Sequence, residues 1–544
     1  MGLLNKAYRG AGWSGLSGIF SNGLELLKYI IVARFLNPSD FGLLAMALVV
    51  ISISRIFADG GTSNAVIHFR NQSARHLSTL FWVNILAGST LYGIIFFLSP
   101  FIALFFGEPE VSRLLKIGGV VLPIYAAGAL YEALLRKSLS FRYIAVSEST
   151  GALIGFVTAV ALAWAGWGVY ALIYSQIATA ATLTGFYLLQ GLQKWKPVFC
   201  FEPLEIWPHL TFGFYQMGER ALNIFSTRVD QLVIGKFFGP EILGAYFIAY
   251  RLVLFPVSRL SPLLNRVALP IFSSRQNQDP ILRNGYFKLL NGIIMLFVPF
   301  LVLTGLTAPW LVPLLFGSGW DLSIQLIPLM AGIGFLKMLG NPSGNIVLAK
   351  GRARLVFFWN LGTAVASTVV ILVGAFYSIY TLVWLYFAIN AVYFGLGQWI
   401  MVHRLIDLSW TRFFQELSPV FFVAGAAWLA TWIYRNLASG IWHFDGMLSG
   451  SNTLHLMAAN LFGAWLEPDL WYKQALFDVP GMVASTVAVF FIIYFVLLWL
   501  FRYDVIREAA DAFRNTGNKE TGDEETYDDK TGDNGTDDEK PRMK

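Results

Sequence analysis

Ten ionisable side chains stand inside stretches that are otherwise apolar: Glu25, Lys28, Arg55, Asp59, Glu219, Arg220, Arg228, Asp230, Arg251 and Arg259. On insertion scales such a residue at a bilayer centre costs roughly 2.5–3.5 kcal/mol, so it faces protein or water and marks a pathway by default. The basic members suit an anion. A guanidinium offers a planar fork that matches phosphate or diphosphate oxygens, and an ammonium adds a point charge. Lys28, Arg55 and Arg251 are the leading candidates for holding an anionic substrate, with Arg220 and Arg228 beside them. The carboxylates Glu25, Asp59, Glu219 and Asp230 are candidates for carrying a proton or a sodium ion, because burial and nearby charge change a carboxyl group's hold on a proton. The residues do not choose between the two ions. A plainer reading is local neutralisation: Glu25 and Lys28 form an i,i+3 pair and Arg55 and Asp59 an i,i+4 pair on a helix. That reading leaves out Arg251, which has no acidic neighbour on its own turn, and the concentration of charge in four helices at equivalent places. Arg259, close to a helix end, can snorkel. Glu132, Glu148 and Lys337 are expected nearer the cytoplasmic ends of their helices.

The helices that must position these groups are written twice. Ser14, Ser17, Ser21, Glu25 and Lys28 follow spacings of 3, 4, 4 and 3, one polar stripe on a helix. Gln216, Glu219, Asn223, Thr227 and Asp230 repeat the stripe, each 202 positions later. At the same offset Arg34-Phe-Leu-Asn-Pro38 becomes Lys236-Phe-Phe-Gly-Pro240, and Gly42 becomes Gly244. Further along, Phe105-Phe-Gly is echoed by Leu315-Phe-Gly, and the basic run at 136–142 by that at 350–354. The repeat is therefore a unit of six spans. An even unit enters the membrane twice from the same side, which gives parallel lobes related by an axis along the membrane normal. The two stripes are expected to face each other across a water-filled cavity.

Composition agrees with a membrane protein. Charged residues make up 13% of the 544 residues, about half the roughly 25% usual in soluble domains, and 56% are hydrophobic. Fourteen spans are expected, at roughly 12–35, 41–60, 78–106, 114–135, 142–165, 168–190, 208–237, 242–265, 286–315, 321–346, 354–376, 379–402, 414–436 and 478–502. Basic residues cluster in alternate loops, from Arg70 and Arg75 through Arg136, Lys194, Arg275 and Lys350 to Arg404 and Arg412. The positive-inside rule then places both termini in the cytoplasm. The expected organisation is an N-terminal six-helix lobe at 1–190, a cytoplasmic linker at 191–207, a second six-helix lobe at 208–403, and two additional helices within 404–502. These last two flank an external loop at 437–475, and an acidic tail follows at 503–544.

The loop at 437–475 is rich in Trp, Phe and Tyr and reads as a segment lying at the membrane interface. In the tail, Thr516, Thr521, Thr526, Thr531 and Thr536 recur every five residues among acidic ones, a composition too poor in apolar groups to fold. Cys200 is the single cysteine, which excludes an intrachain disulfide and a multi-cysteine metal site. No Walker-type phosphate loop is present. The reading is a transporter that needs no cofactor or metal, does not bind nucleic acid and is not an enzyme.

At these residues the chain resembles the oligosaccharide and polysaccharide flippases of the multidrug/oligosaccharidyl-lipid/polysaccharide (MOP) exporter superfamily. The run Ala33-Arg-Phe-Leu-Asn-Pro-Ser-Asp-Phe-Gly42 is similar to the pattern such transporters show between their first two spans. Arg55-Ile-Phe-Ala-Asp-Gly60 and Ala249-Tyr-Arg-Leu-Val-Leu-Phe-Pro256 are similar to runs in the related flippase for the peptidoglycan precursor. Lys28 stands where that protein has an arginine, and Tyr250 where it has an acidic residue. The resemblance implies an all-α polytopic membrane protein with two parallel six-helix lobes around a central cavity and two C-terminal helices. It implies that Lys28, Arg55 and Arg251 face that cavity. The implied activity is flipping a polyprenyl-diphosphate-linked oligosaccharide across the bacterial cytoplasmic membrane by alternating access. The coupling ion would be H+ or Na+, and a polysaccharide polymerase and assembly proteins would be partners. The alternatives are a multidrug exporter of the same superfamily, whose cavity should be acidic rather than basic, and a membrane polymerase or ligase working through the loop at 437–475. His443, Asp445, His455, Glu467 and Asp469 in that loop form no spacing assignable to a mechanism.

Overall fold

The computed structural model describes residues 3–59, 66–67, 73–200 and 203–418, and parts of 421–433 and 486–496. The described residues are helical, with no strand among them. The helices are α1 (Leu3–Val32), α2 (Pro38–Asp59), α3 (Ala74–Phe106), α4 (Pro109–Gly118), α5 (Val121–Lys137), α6 (Phe141–Trp164), α7 (Val169–Lys194), α8 (Pro203–Ser274), α9 (Asp279–Phe316), α10 (Asp321–Ala349), α11 (Ala353–Ala375) and α12 (Ile379–Gly397). A π-helical turn, Gln398–His403, continues α12.

Turn chemistry sets the breaks. Ser73 caps α3: its hydroxyl accepts from the His76 backbone N–H while the His76 ring meets the Ser73 N–H. Gly107, at φ 77°, ends the same helix in the left-handed conformation that lacks a Cβ penalty. Gly239 (φ 79°, ψ −176°) breaks α8 into an arm at 203–238 and an arm at 240–274. Only glycine adopts that backbone readily, and Pro240 then starts the second arm as Pro38 starts α2. The expected seventh and eighth spans are these two arms. The expected fourth span runs through Pro109–Lys137, with a turn between α4 and α5 where a Cβ on Gly119 would lie 2.7 Å from the Leu115 carbonyl oxygen and 2.9 Å from the Tyr92 ring.

Among the described residues ten helical stretches are long and apolar enough to cross a membrane. Helix α1, diluted by its polar stripe, is not one of them. The fourteenth span is described only at 486–496, and the thirteenth only in part. The loop at 437–475 and the tail at 503–544 lie outside the described residues. Several of these stretches present apolar residues outward. Along α11, Phe357, Leu361, Val365, Val369 and Val373 form an exposed ridge at four-residue spacing, while Ser367, Gly374 and Ala375 point inward. Trp164 is 80% exposed and Leu104 78% exposed. Apolar side chains this exposed, on helices of this length, are the arrangement that lipid requires. The chain is a polytopic membrane protein.

The two halves of the chain meet through their repeated turns. A Cβ on Gly42 would lie 1.8 Å from the Pro240 carbonyl oxygen, and one on Gly244 would lie 1.7 Å from the Pro38 carbonyl oxygen. Each glycine thus packs on the proline of the other half, and the backbones touch. Around this contact the equivalent cations also cross over. Arg34 donates from its guanidinium to the Leu315 carbonyl at 3.2 Å and to that of Leu314, the negative end of α9. Lys236 lies over the Phe105 ring at 5.1 Å, at the end of α3. An aromatic seam runs below: Tyr29 against Phe41 and Phe247, and Phe41 against the fully buried Trp320.

Candidate functional site

Tyr29 is the centre of the site, and it is not a member of the polar stripe. It lies between Lys28 and Ile30 on the last turns of α1, 2% exposed. The Arg251 guanidinium, from the second arm of α8, sits 4.9 Å from its ring centre and 5.0 Å from that of Phe247. One Arg251 nitrogen donates to Glu25 Oε1 at 2.9 Å and the other to the Tyr29 hydroxyl at 3.5 Å. The Lys28 ammonium is 5.1 Å from the same Tyr29 ring. Two aromatic faces and a carboxylate therefore hold a guanidinium with an ammonium close by. Seven residues separate Arg251 from Gly244, so the ion pair lies about 10 Å along the helix from the backbone contact.

The pairing of Glu25 is not confined to its own helix. Its carboxylate reaches across 226 residues to Arg251 in the other half, not only to Lys28 three residues on. Lys28, 6% exposed, instead donates to Ser175 Oγ on α7 at 3.4 Å. Ser17 of the same stripe donates to Glu148 on α6 at 3.2 Å. The first stripe is thus split. Ser17 and Lys28 bond within their own half, and among the described residues Glu25 reaches the second. Packing decides this, because a buried polar group without a partner costs more than the stripe gains by facing outward.

The second stripe is treated likewise. Asp230, 3% exposed, accepts from the Tyr246 hydroxyl at 2.6 Å and the Gln231 backbone N–H at 2.8 Å. Arg228 donates to the Gln231 side chain at 3.2 Å. Lys337, expected near a helix end, lies mid-way along α10 and donates to the Tyr386 hydroxyl at 2.7 Å. Tyrosine is the common partner in this half, and no spacing within one helix could have shown it.

Arg55 stands apart. It lies in the last turns of α2, exposed, with its guanidinium 3.5 Å from the Tyr125 ring on α5. Fourteen residues separate it from Phe41, which touches Tyr29, a rise of about 21 Å along the helix. Lys28 and Arg251 are brought together, and Arg55 is not brought to them. Asp59 ends α2, and Glu219, Arg220 and Arg259 lie on α8, with side chains outside the described set. No group of three His, Cys, Asp or Glu suited to a metal occurs among the described residues.

Comparison with known proteins supplies the family. The profile of the family described as polysaccharide biosynthesis protein matches residues 31–325, more than half of the chain. The teichuronic acid biosynthesis protein TuaB of Bacillus subtilis (strain 168) is 28% identical over 425 residues, 78% of this chain and 88% of TuaB. The amylovoran biosynthesis protein AmsL of Erwinia amylovora is 32% identical over 316 residues, 58% of this chain and 80% of AmsL. Among solved structures, lipid II flippase MurJ in an inward closed conformation shares the fold with a TM-score of 0.67. It does so at 12% identity, over 90% of this chain and 99% of MurJ. A multidrug resistance MATE transporter of the MOP superfamily, inward-facing, shares it with a TM-score of 0.52 at 15% identity, over 71% of this chain and 94% of its own. Crossed repeats inside an apolar helical shell are thus a fold shared with these two transporters, and the chain belongs to the polysaccharide biosynthesis protein family of multi-pass membrane proteins.

Proposed function

We propose that this protein is a flippase. It moves a polyprenyl-diphosphate-linked oligosaccharide repeat unit across the bacterial cytoplasmic membrane during surface polysaccharide assembly. Both termini lie in the cytoplasm, lobes at 1–190 and 208–403 rock about the Gly42–Gly244 contact, and that contact seals the external side. The observation that carries this reading is the cationic cluster at Tyr29, which joins the two halves below the seal. An anionic headgroup drawn there reaches both halves at once, which is what a ligand must do to shift their relative position.

Arg55 supports a second station. A guanidinium exposed on a helix that crosses lipid is stable only beside water or headgroups, so Arg55 lines the cytoplasmic mouth and receives the diphosphate first. The diphosphate then passes to Arg251, with Lys28 adding positive potential from behind Tyr29. The lipid tail stays in the bilayer. Export is coupled to H+ or Na+, and a polymerase and its assembly partners take up the flipped unit. The enrichment in buried cations favours this over a multidrug exporter of cationic compounds.

The test is reconstitution into liposomes with a fluorescent lipid-linked oligosaccharide. Headgroup accessibility from each side would be followed with and without a pH gradient. Wild type should translocate, Arg251→Ala should not, and Arg55→Ala should be slowed. Translocation at the wild-type rate in both variants would refute the site.

A further inference from the structure

From the contact between Glu25 and Arg251 we infer that substrate and proton exchange places at one guanidinium. Binding of the diphosphate headgroup to Arg251 displaces the Glu25 carboxylate, which takes a proton from the water of the loading side. The inference rests on the flippase reading and makes Glu25 the coupling residue.

The geometry leaves little choice. Arg251 is 9% exposed and already engages the faces of Tyr29 and Phe247, so its polar edge is what it can offer a ligand. Glu25 Oε1 occupies that edge at 2.9 Å. A phosphate oxygen that pairs with the guanidinium must take the place of a carboxylate oxygen. The displaced carboxylate would remain next to an arriving anion inside the membrane, and protonation removes that repulsion. In the exchange no covalent bond of the substrate breaks. The pair Arg251–Glu25 becomes Arg251–phosphate, and one water-borne proton ends on Glu25.

The surroundings single out Glu25 for this. Charged groups that act on this cluster, besides Glu25, are Lys28 on its own helix and Arg251 and Arg228 from α8. Of the helices packed on α1, α6 carries no charged residue after Glu148, which is engaged by Ser17 two turns away. Helix α9 carries none between Lys288 and its end at Phe316. Helix α7, reached through Ser175, carries none before Lys194. Among the described side chains, Glu25 is the carboxylate seen in contact with Arg251; Asp230 of α8 is engaged by Tyr246. Its bond also ties the halves directly below the glycine contact, so the exchange loosens the closed side only when a headgroup is loaded.

Farnesyl diphosphate serves as a probe of the headgroup site in purified full-length protein. Titration calorimetry in buffers of different ionisation enthalpy measures protons taken up per diphosphate bound. Wild type should take up about one proton more than Glu25→Gln, the diphosphate's own protonation being common to both. Glu25→Gln should bind about tenfold tighter at neutral pH, because no carboxylate competes, and should lose the wild-type weakening at higher pH. Glu25→Asp, which keeps the carboxyl, should retain uptake and guards against a fold defect in the amide variant. Equal uptake in wild type and Glu25→Gln, or uptake abolished by Lys28→Gln instead, would overturn the exchange while diphosphate binding and translocation persist. If wild type neither binds the diphosphate nor moves the fluorescent lipid, the flippase reading itself fails.

Discussion

Lys28 and Asp230 occupy the same place in the two halves, 202 residues apart, and carry opposite charge. Asp230 is enclosed by its own half, with a tyrosine hydroxyl at 2.6 Å and a backbone N–H at 2.8 Å. Lys28 has a longer bond, 3.4 Å to Ser175, and stands beside the Tyr29 ring that Arg251 also uses. The glycine contacts, by contrast, are matched, with 1.8 Å on one side and 1.7 Å on the other. Duplication therefore kept the backbone crossing and let the charges diverge. The crossing is common to both halves because either one failing breaks the same contact. The charges can differ because each is satisfied locally, and the cationic surplus gathers on the side of Tyr29.

The crossing gives the largest expected effect. In Gly42→Val and Gly244→Val the new side chain meets a carbonyl oxygen at under 2 Å, and each should cost at least ~3 kcal/mol and abolish translocation. Thermal unfolding of the purified variants checks this, and a mild effect in only one of them would break the symmetry. Next comes Arg251→Ala. The Glu25 side chain is 26% exposed, so the loss of its partner should cost about 2–3 kcal/mol, less than for a fully buried pair. The double variant Glu25→Gln/Arg251→Gln should recover most of that stability and none of the translocation, separating structural pairing from headgroup binding.

The contrast between the stripes is tested by Lys28→Gln and Asp230→Asn. Lys28→Gln should weaken farnesyl diphosphate binding about tenfold. Asp230→Asn should leave binding within about twofold while lowering stability by ~1–2 kcal/mol through its bond to Tyr246. Equal losses of affinity would mean that both halves handle the headgroup. The smallest effect is expected of Arg55→Ala, a severalfold slower uptake of the lipid-linked oligosaccharide. That deficit should shrink as salt rises, since an exposed charge acts through a screened field.

Much of the fold was legible before any coordinates. Charge depletion, span-length apolar runs and the 202-residue offset fixed the class, and the offset named both glycines that touch. The close packing at Gly118 and Gly119 was not legible, because the side chains that meet them there are Ile51 and Tyr92 of other helices. For the site, Arg251 and Lys28 were found by the cost of charge in an apolar stretch. Tyr29 was missed because an aromatic in a membrane helix carries no such cost, and its role depends on what stacks upon it.

Period, composition and repeat are properties of neighbours along the chain, so the sequence by itself determined the helices, their duplication and which side chains are expensive to bury. Pairing is a property of neighbours in space. Only the tertiary structure decided that Glu25 meets Arg251 of the other half, that Lys28 turns to Ser175, and that Arg55 lies about 20 Å of helix away from both. The reason is that a buried charge takes the partner that packing brings within hydrogen-bond reach, and helix packing is not written in the spacing of any single helix.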